Sequence, residues 1–240
     1  MIPLRDENPS EITPYVTVFF VLVNVASWIF IQGAGDPSAV IASVDFFGFV
    51  PCAVTARCEA NGLGVPAVLT SMFMHGDWGH LLGNMLFLWV FGNNIEDSMG
   101  HIRFFVFYLL CGFAATAAHI LAMPGSVIPT VGASGAISGV MGAYIFLYPR
   151  VRVVTWLPPI FTIRPPAYLL LGYWFVLQLA AGAFTFAPGA EDQGGVAVWA
   201  HVGGFVAGLA LIPLFRKKRL SWAKGHGEKL GPEEARRLEW

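Results

Sequence analysis

Charged residues are scarce in this chain. Only 12% of its 240 residues are Asp, Glu, Lys or Arg, whereas a soluble domain carries roughly 25%. Hydrophobic residues make up 56%, and the mean hydropathy is +0.64. The composition excludes an ordinary soluble domain and predicts a protein that crosses a membrane several times. The N-terminal segment also lacks a small-residue cleavage site, so we expect residues 14–33 to be a retained helix and not a removable signal peptide.

Six apolar segments have about the length needed to cross a bilayer, which is roughly 17–25 residues. They are 14–33, 80–96, 102–122, 132–148, 168–187 and 196–215. The second and fourth are short and contain polar residues, which suits helices buried inside a bundle. A further apolar segment, 65–75, is too short to cross, so we expect it at the interface or against the bundle. We therefore predict an all-α polytopic membrane protein with six transmembrane helices and a long first outer loop.

Lys and Arg are almost absent from one set of connecting segments. If the N-terminus is cytoplasmic, all but one of the 14 Lys and Arg residues lie on the inner side, and the exception is Arg57. Because cytoplasmic segments carry the excess of Lys and Arg, we predict cytoplasmic termini in a prokaryotic plasma membrane. The predicted divisions are an N-terminal segment 1–13, a six-helix domain 14–215 and a basic tail 216–240.

Cysteines are also few. Cys111 falls in the third predicted span and is expected to be an inert apolar residue. Cys52 and Cys58 fall in the first outer loop, where oxidising conditions would allow a disulfide. Their spacing permits a bridge without requiring one, so a disulfide and two free thiols both remain open.

Three predicted helices run from the outside to the inside and carry polar residues near their outer ends. His80 begins the second helix, Ser134 the fourth and His201 the sixth. Asn84 lies one turn after His80 and shares its face. Ionisable groups at membrane depth are costly and mark function more often than packing. A serine and a histidine are the minimum for an activated nucleophile and its general base.

The sequence around Ser134 suits a recessed helix start. Pro124 and Pro129 exclude regular helix before it, and irregular backbone at membrane depth is tolerated only beside protein or a water-filled cavity. Backbone N–H groups in the first helical turn lack acceptors and would favour an oxyanion. Small residues let helices approach closely in lipid, although such glycines also serve packing alone. Here they are Gly135, Gly139 and Gly142 on the fourth helix and Gly204 and Gly208 on the sixth.

The G-x-S-G motif at residues 132–135 is weak evidence by itself, because it occurs often by chance. It is not the G-x-S-x-G nucleophile elbow, since that motif needs glycine where this chain has Ala136, and no strand precedes the serine. No acidic residue accompanies the pair, because Glu96 and Asp97 fall at the inner end of the second helix. The prediction is a Ser134–His201 dyad whose imidazole is oriented by packing and not by a carboxylate.

Several segments together resemble the rhomboid family of intramembrane serine proteases. They are the opening IPLRDENPS, HGDWGHLLGNMLFLWVFGNNIED at 75–97, GASGAISGVMGAY at 132–144 and AHVGGFVAG at 200–208. The resemblance spans essentially residues 2–215. It implies an endopeptidase that cuts transmembrane helices near the outer leaflet through an acyl-enzyme. The implied partners are membrane-protein substrates and the lipid bilayer, with no nucleic acid, no cofactor and no metal. The oligomeric state stays open.

The resemblance implies a role for four residues. Ser134 matches the nucleophile, and His201 matches the general base. His80 and Asn84 match the HxxxN pair, which together with the Ser134 backbone N–H holds the oxyanion. The fifth helix, 167–186, and the loop 188–195 would regulate substrate access.

Two features depart from the family pattern. The Trp-Arg pair of the first loop has no counterpart in residues 64–68, which puts the anchoring of that loop in doubt. Ser138 stands four residues after the nucleophile, where some members have a tyrosine that packs against the base. How His201 is oriented is therefore open.

The remaining polar residues receive structural interpretations. Interhelical hydrogen bonds are expected for Asn24 and Gln178, a structural role is expected for His119, and His75 is unassigned. A zinc site formed by the histidines is not expected, because the chain has no H-E-x-x-H motif and lacks the carboxylates that would orient metal-binding histidines.

Two other functional classes stay in view. An inactive relative that binds membrane clients would typically lack one of the two catalytic residues, and both are present here. A small transporter or channel would usually show an internal repeat, and none relates residues 1–122 to 123–240.

Overall fold

The computed structural model describes residues 1–59, 61–186 and 197–218, together with 231, 233 and 234. These parts of the chain are mostly helical. The helices are α1 Tyr15–Phe30, α2 Pro37–Phe47, α3 Pro51–Val54, α4 Ala67–Thr70, α5 Trp78–Met99, α6 His101–Ala122, α7 Ser134–Leu147, α8 Ala167–Phe184 and α9 Val198–Phe215. Short 3-10 turns occupy Gly33–Gly35 and Ser71–Phe73. The predicted loop 188–195 and most of the predicted tail lie outside the described residues.

Each of the six predicted apolar segments overlaps one helix, namely α1 and α5 to α9. By length and composition, α6, α8 and α9 are long and apolar enough to cross a membrane. The helices α1 and α7 are apolar but shorter, with 16 and 14 residues. The structure thus supports a helical membrane protein with three clear membrane-crossing helices.

Helix α7 lies at the centre of the bundle. Residues 135–144 are buried without interruption, and the helix contacts α5, α6, α8 and α9. Its closest neighbour is α9, because glycines replace side chains where the two helices meet. Cβ atoms on Gly204 and Gly208 would collide with the carbonyl oxygens of Gly135 and Gly139. The glycine spacing in the sequence correctly predicts this close approach.

Two buried carboxylates near the C-terminal end of α5 bind the N-terminal segment of the chain. Glu96 accepts hydrogen bonds from the backbone N–H groups of Val16 and Thr17 at 2.9 and 2.8 Å, so it caps the start of α1. Asp97 accepts from the N–H groups of Glu11 and Ile12 at 3.0–3.1 Å. A helix start has unpaired N–H groups and a positive dipole end, which a carboxylate satisfies. These two acids therefore hold the N-terminal segment.

A small antiparallel sheet departs from the all-α prediction. Its strands are β1 Ile2–Asp6, β2 Val153–Leu157 and β3 Phe161–Ile163, in the order β1-β2-β3. It pairs the N-terminus with the segment between α7 and α8. The prediction missed it because the strands are short and the β1–β2 pairing joins residues about 150 positions apart in sequence.

The segment between α1 and α5 also contains structure that the sequence did not indicate. Asp36 caps α2 by accepting from the backbone N–H groups of Ser38 and Ala39, each at 3.0 Å. Pro37 supplies the first helical residue, a position that suits proline. Further along, α4 and the 3-10 turn place Met72 in the main hydrophobic core. The apolar segment 65–75 therefore packs against the bundle, one of its two predicted placements.

Candidate active site

Helix α7 begins at Ser134, at the end of an irregular segment that is held by the first connecting segment. Phe49 and Thr130 exchange two backbone hydrogen bonds of 3.2 and 2.8 Å. The backbone N–H of Gly132 donates to the Ser71 carbonyl at 2.8 Å. The described residues provide no side-chain cap at the start of α7, so the Ser134 backbone N–H belongs to a helical turn without intrahelical acceptors. These contacts fix the approach of the chain to Ser134.

A disulfide lies beside the same segment. Cys52 and Cys58 are bonded, which is one of the two alternatives that the sequence left open. The Cys52 backbone N–H donates to the Ser126 carbonyl at 3.0 Å, and the Thr55 hydroxyl donates to the Pro124 carbonyl at 2.9 Å. The cross-linked turn therefore braces the backbone that leads to Ser134. Cys111 is a free thiol and is buried, as expected for an apolar residue in the third predicted span.

The structure brings Ser134 and His201 together. The Ser134 Oγ lies 2.7 Å from Nε2 of His201, across the contact between α7 and α9. His201 is 8% exposed, and Ser134 is half-buried at the cavity wall. A hydroxyl at this distance from an unprotonated imidazole nitrogen can pass its proton to the ring as it attacks an electrophile.

His80 lies close to the backbone that leads to Ser134. Its Nδ1 accepts the Gly76 N–H at 3.4 Å, which leaves the proton on Nε2. That Nε2 lies so close to Gly132 that a Cβ there would be 2.6 Å from it and 3.6 Å from the Ser134 Oγ. Gly132 also has φ +124°, a conformation that L side chains rarely adopt. The backbone at Gly132 therefore lies against a ring N–H donor.

Asn84 supplies a second unused donor. It lies one turn after His80 on α5 and is 7% exposed, and its Nδ2 has no hydrogen-bond partner among the described residues. Buried amide groups are usually paired, so an unpaired donor needs a reason. Asn84, His80, Ser134 and His201 all line one cavity of about 700 Å³. All four predicted site residues thus share a cavity that an acceptor oxygen can occupy.

The imidazole of His201 is oriented from α8. Its Nδ1 lies 2.9 Å from Oε1 of Gln178, and its ring centroid lies 5.7 Å from that of Trp174. The sequence predicted an interhelical hydrogen bond for Gln178 but did not connect it with the base. Ser138, at the position where some rhomboid members have a tyrosine against the base, donates to the Ser134 carbonyl at 2.6 Å. In the sequence, the only sign of this role is that Gln178 is an amide side chain in a segment that is otherwise apolar.

The other histidines have different surroundings. His119 lines the cavity, where its Nε2 lies 3.4 Å from the Thr130 hydroxyl on the segment before Ser134. His75 is fully buried, and its ring packs edge-on against that of His80 with centroids 5.0 Å apart. Burial lowers the pKa of His75 to about 3, so its ring is neutral at physiological pH. Within the described parts of the chain, no three His, Cys, Asp or Glu side chains group in a way that could hold a metal ion.

A family model and several known proteins that are similar to this chain indicate the same family. The Rhomboid domain model matches residues 64–218. The chain is 32% identical over 147 residues to Rhomboid protein 1, mitochondrial, of Saccharomyces cerevisiae, covering 60% of this chain and 40% of that protein. It is 36% identical over 80 residues to the Rhomboid protease GluP of Bacillus subtilis, covering 33% and 15%. It is 33% identical over 79 residues to the chloroplastic Rhomboid-like protein 11 of Arabidopsis thaliana, covering 33% and 28%.

The aligned part of the chain spans at most 40% of the length of these three relatives. Two of them carry organelle names, mitochondrial and chloroplastic, and the third is bacterial. All three carry rhomboid names, in agreement with the family model that matches this chain. They give no support to the prokaryotic plasma membrane that was predicted from the sequence.

Proposed function

The chain belongs to the rhomboid family, and we propose on this basis that it is an intramembrane serine endopeptidase. Its substrates are the membrane-spanning segments of other proteins. The observation that carries the proposal is the 2.7 Å contact between the Ser134 hydroxyl and Nε2 of His201 in a cavity within a helical bundle. Both predicted catalytic residues are present and in contact, which favours an active enzyme over an inactive relative.

In the proposed reaction, Ser134 attacks a peptide carbonyl while His201 takes the hydroxyl proton at Nε2. The carbonyl π electrons move onto oxygen, and a tetrahedral intermediate forms. His201 then gives the proton to the leaving amine, and the serine ester remains. Water attacks this ester by the same route and releases the new carboxyl group. No metal or cofactor takes part in either half of the reaction.

The oxyanion is stabilised by three donors in this proposal. They are the Ser134 backbone N–H, Nδ2 of Asn84 and Nε2–H of His80. The unpaired state of Asn84 Nδ2 among the described residues supports its role, because a preorganised donor aimed at developing charge costs no rearrangement during reaction. The His80 tautomer that the Gly76 N–H favours supports the third donor.

We also propose that six helices, α1 and α5 to α9, span the membrane and that both termini lie on its inner side. The proposed division keeps residues 1–13 and 216–240 outside a domain at 14–215. The distribution of Lys and Arg supports this orientation. The Cys52–Cys58 disulfide supports it too, because disulfides persist in oxidising compartments such as the outer side of a membrane. Cleavage then takes place near the outer leaflet.

The test is cleavage of a single-pass substrate in liposomes by the wild type and by Ser134→Ala. We expect the variant to fold and to release no product. A fluorophosphonate probe should label the wild type and not the variant. Cleavage by Ser134→Ala at the wild-type rate would disprove the proposal. Labelling without cleavage of any membrane segment would instead indicate a different hydrolase.

A further inference from the structure

We propose that Gln178 is a positioning residue that fixes the tautomer and the ring orientation of His201. This inference rests on the proposed function, because it concerns the same general base. It replaces the predicted packing-oriented dyad by a Ser134–His201–Gln178 arrangement with an amide in the third place.

The two ring nitrogens of His201 have different partners. Nε2 lies 2.7 Å from the Ser134 Oγ, and Nδ1 lies 2.9 Å from Oε1 of Gln178. An amide oxygen only accepts, so Nδ1 must carry the proton in this arrangement. Nε2 is then the unprotonated nitrogen that general-base catalysis requires. The Gln178 amide thereby selects the tautomer that can take the serine proton.

The position of Gln178 in the fold supports this role. It stands in the outer half of α8, whose other residues from Ala167 to Phe184 are apolar, aromatic or glycine. Trp174 lies one helical turn earlier and shares its face. The indole packs on the imidazole with an interplanar angle of 42°, while the amide holds the ring nitrogen. Helix α8 thus constrains both the plane and the rotation of the base.

No carboxylate among the described residues holds the imidazole in place of Gln178. Glu96 and Asp97 bind backbone N–H groups at the start of α1 and in the segment before it. Ser138 uses its hydroxyl proton on the Ser134 carbonyl. The orienting contact therefore comes from α8, whereas the two reacting groups come from α7 and α9.

The role of Gln178 in the reaction involves no bond breaking. When the Ser134 proton reaches Nε2, the ring becomes an imidazolium whose Nδ1–H still donates to the amide oxygen. The neutral amide holds the ring in both states, as a carboxylate or an asparagine does in related triads. When the proton leaves for the amine, the ring returns to the same tautomer. The serine and the base keep their geometry through both half-reactions.

Kinetics of three variants in liposomes test the proposal. Gln178→Met keeps the side-chain length and removes the acceptor, and we expect kcat to fall on the order of 10²-fold with KM unchanged. Gln178→Glu keeps an acceptor oxygen and should restore most of kcat. Leu177→Met, an exposed neighbour on the same helix, is the matched control and should behave as the wild type. Equal kcat for Gln178→Met and the wild type would overturn the proposal.

Nitrogen NMR of histidine-labelled protein gives a readout that is independent of activity. We expect the His201 signals of the wild type, assigned with a His201→Ala variant, to show protonated Nδ1 and unprotonated Nε2. Gln178→Met should lose that tautomer preference while its thermal unfolding stays close to that of the control. A proton on Nε2 in the wild type would mean that the amide donates to the ring, which contradicts the proposal. Cleavage by Ser134→Ala would instead disprove the proposed protease function, and the NMR test of the His201 tautomer would remain valid.

Discussion

Gly204 of α9 lies directly against the backbone carbonyl oxygen of Gly135 in α7. Gly135 follows Ser134, and Gly204 lies three residues after His201. The distance between the two helix backbones therefore sets the distance between the serine hydroxyl and the imidazole. Even one methyl group cannot fit between the helices here. The active-site geometry therefore requires glycine at this contact.

Gly204→Ala should separate α7 and α9 and abolish the contact between Ser134 and His201. We expect a loss of about 1–3 kcal/mol in the free energy of unfolding, as in other overpacked cores, and loss of fluorophosphonate labelling. Thermal unfolding in detergent and probe labelling measure these effects. Gly172→Ala is the control, because a Cβ there meets open space. Full labelling of Gly204→Ala would show that the close approach is not needed.

Asn84→Ala should lower kcat on the order of 10²- to 10³-fold, which is typical for the loss of one oxyanion donor. The amide is directed at charge that develops only during reaction, so KM should change little. Steady-state cleavage in liposomes separates the two constants. Leu82→Ala, at an exposed site on the same helix, should leave both unchanged. A variant that raises KM and keeps kcat would assign Asn84 to substrate binding.

Gly132→Ala should displace His80 or the start of α7. The new Cβ would meet Nε2 of His80 at 2.6 Å, and the backbone has φ +124°. Since a displacement of about 1 Å at a reacting centre can cost on the order of 10²-fold in rate, we expect kcat to fall by about that factor. The matched control is Gly125→Ala in the same segment, where a Cβ contacts nothing within 4 Å. Similar activities of the two variants would contradict this account.

Glu96→Ala should destabilise the protein without altering the chemistry at Ser134. The carboxylate is fully buried and accepts from Thr17 through both its backbone N–H and its hydroxyl, at 2.8 and 2.7 Å. It also lies 2.6 Å from Nδ1 of His101. Because removal leaves several buried donors unpaired, we expect a loss of about 3 kcal/mol in the free energy of unfolding. Thermal unfolding should show this loss, while probe labelling of the folded fraction should match the wild type.

The sequence indicated which residues the structure brings together at this cavity, while their roles stay predictions. Ser134, His201, His80 and Asn84 are polar residues in apolar segments, and their cost at membrane depth makes them visible without a structure. The glycines on α7 and α9 are visible for a similar reason, because their spacing places them on one helix face. Gln178 has the same kind of signal, but the sequence could not identify its partner. Its hydrogen bond depends on how α8 packs on α9.

The sequence by itself determined the six long apolar helical segments and four of the polar residues that line the cavity. Both follow from local chemistry: apolar segments of sufficient length must be buried, and polar groups within them need a function. The tertiary structure decided the rest. It placed Ser134 against His201 across 67 positions of chain, paired β1 with β2 and turned an interhelical amide into a partner of the base. These relationships depend on the packing of distant segments, which no local pattern of residues specifies.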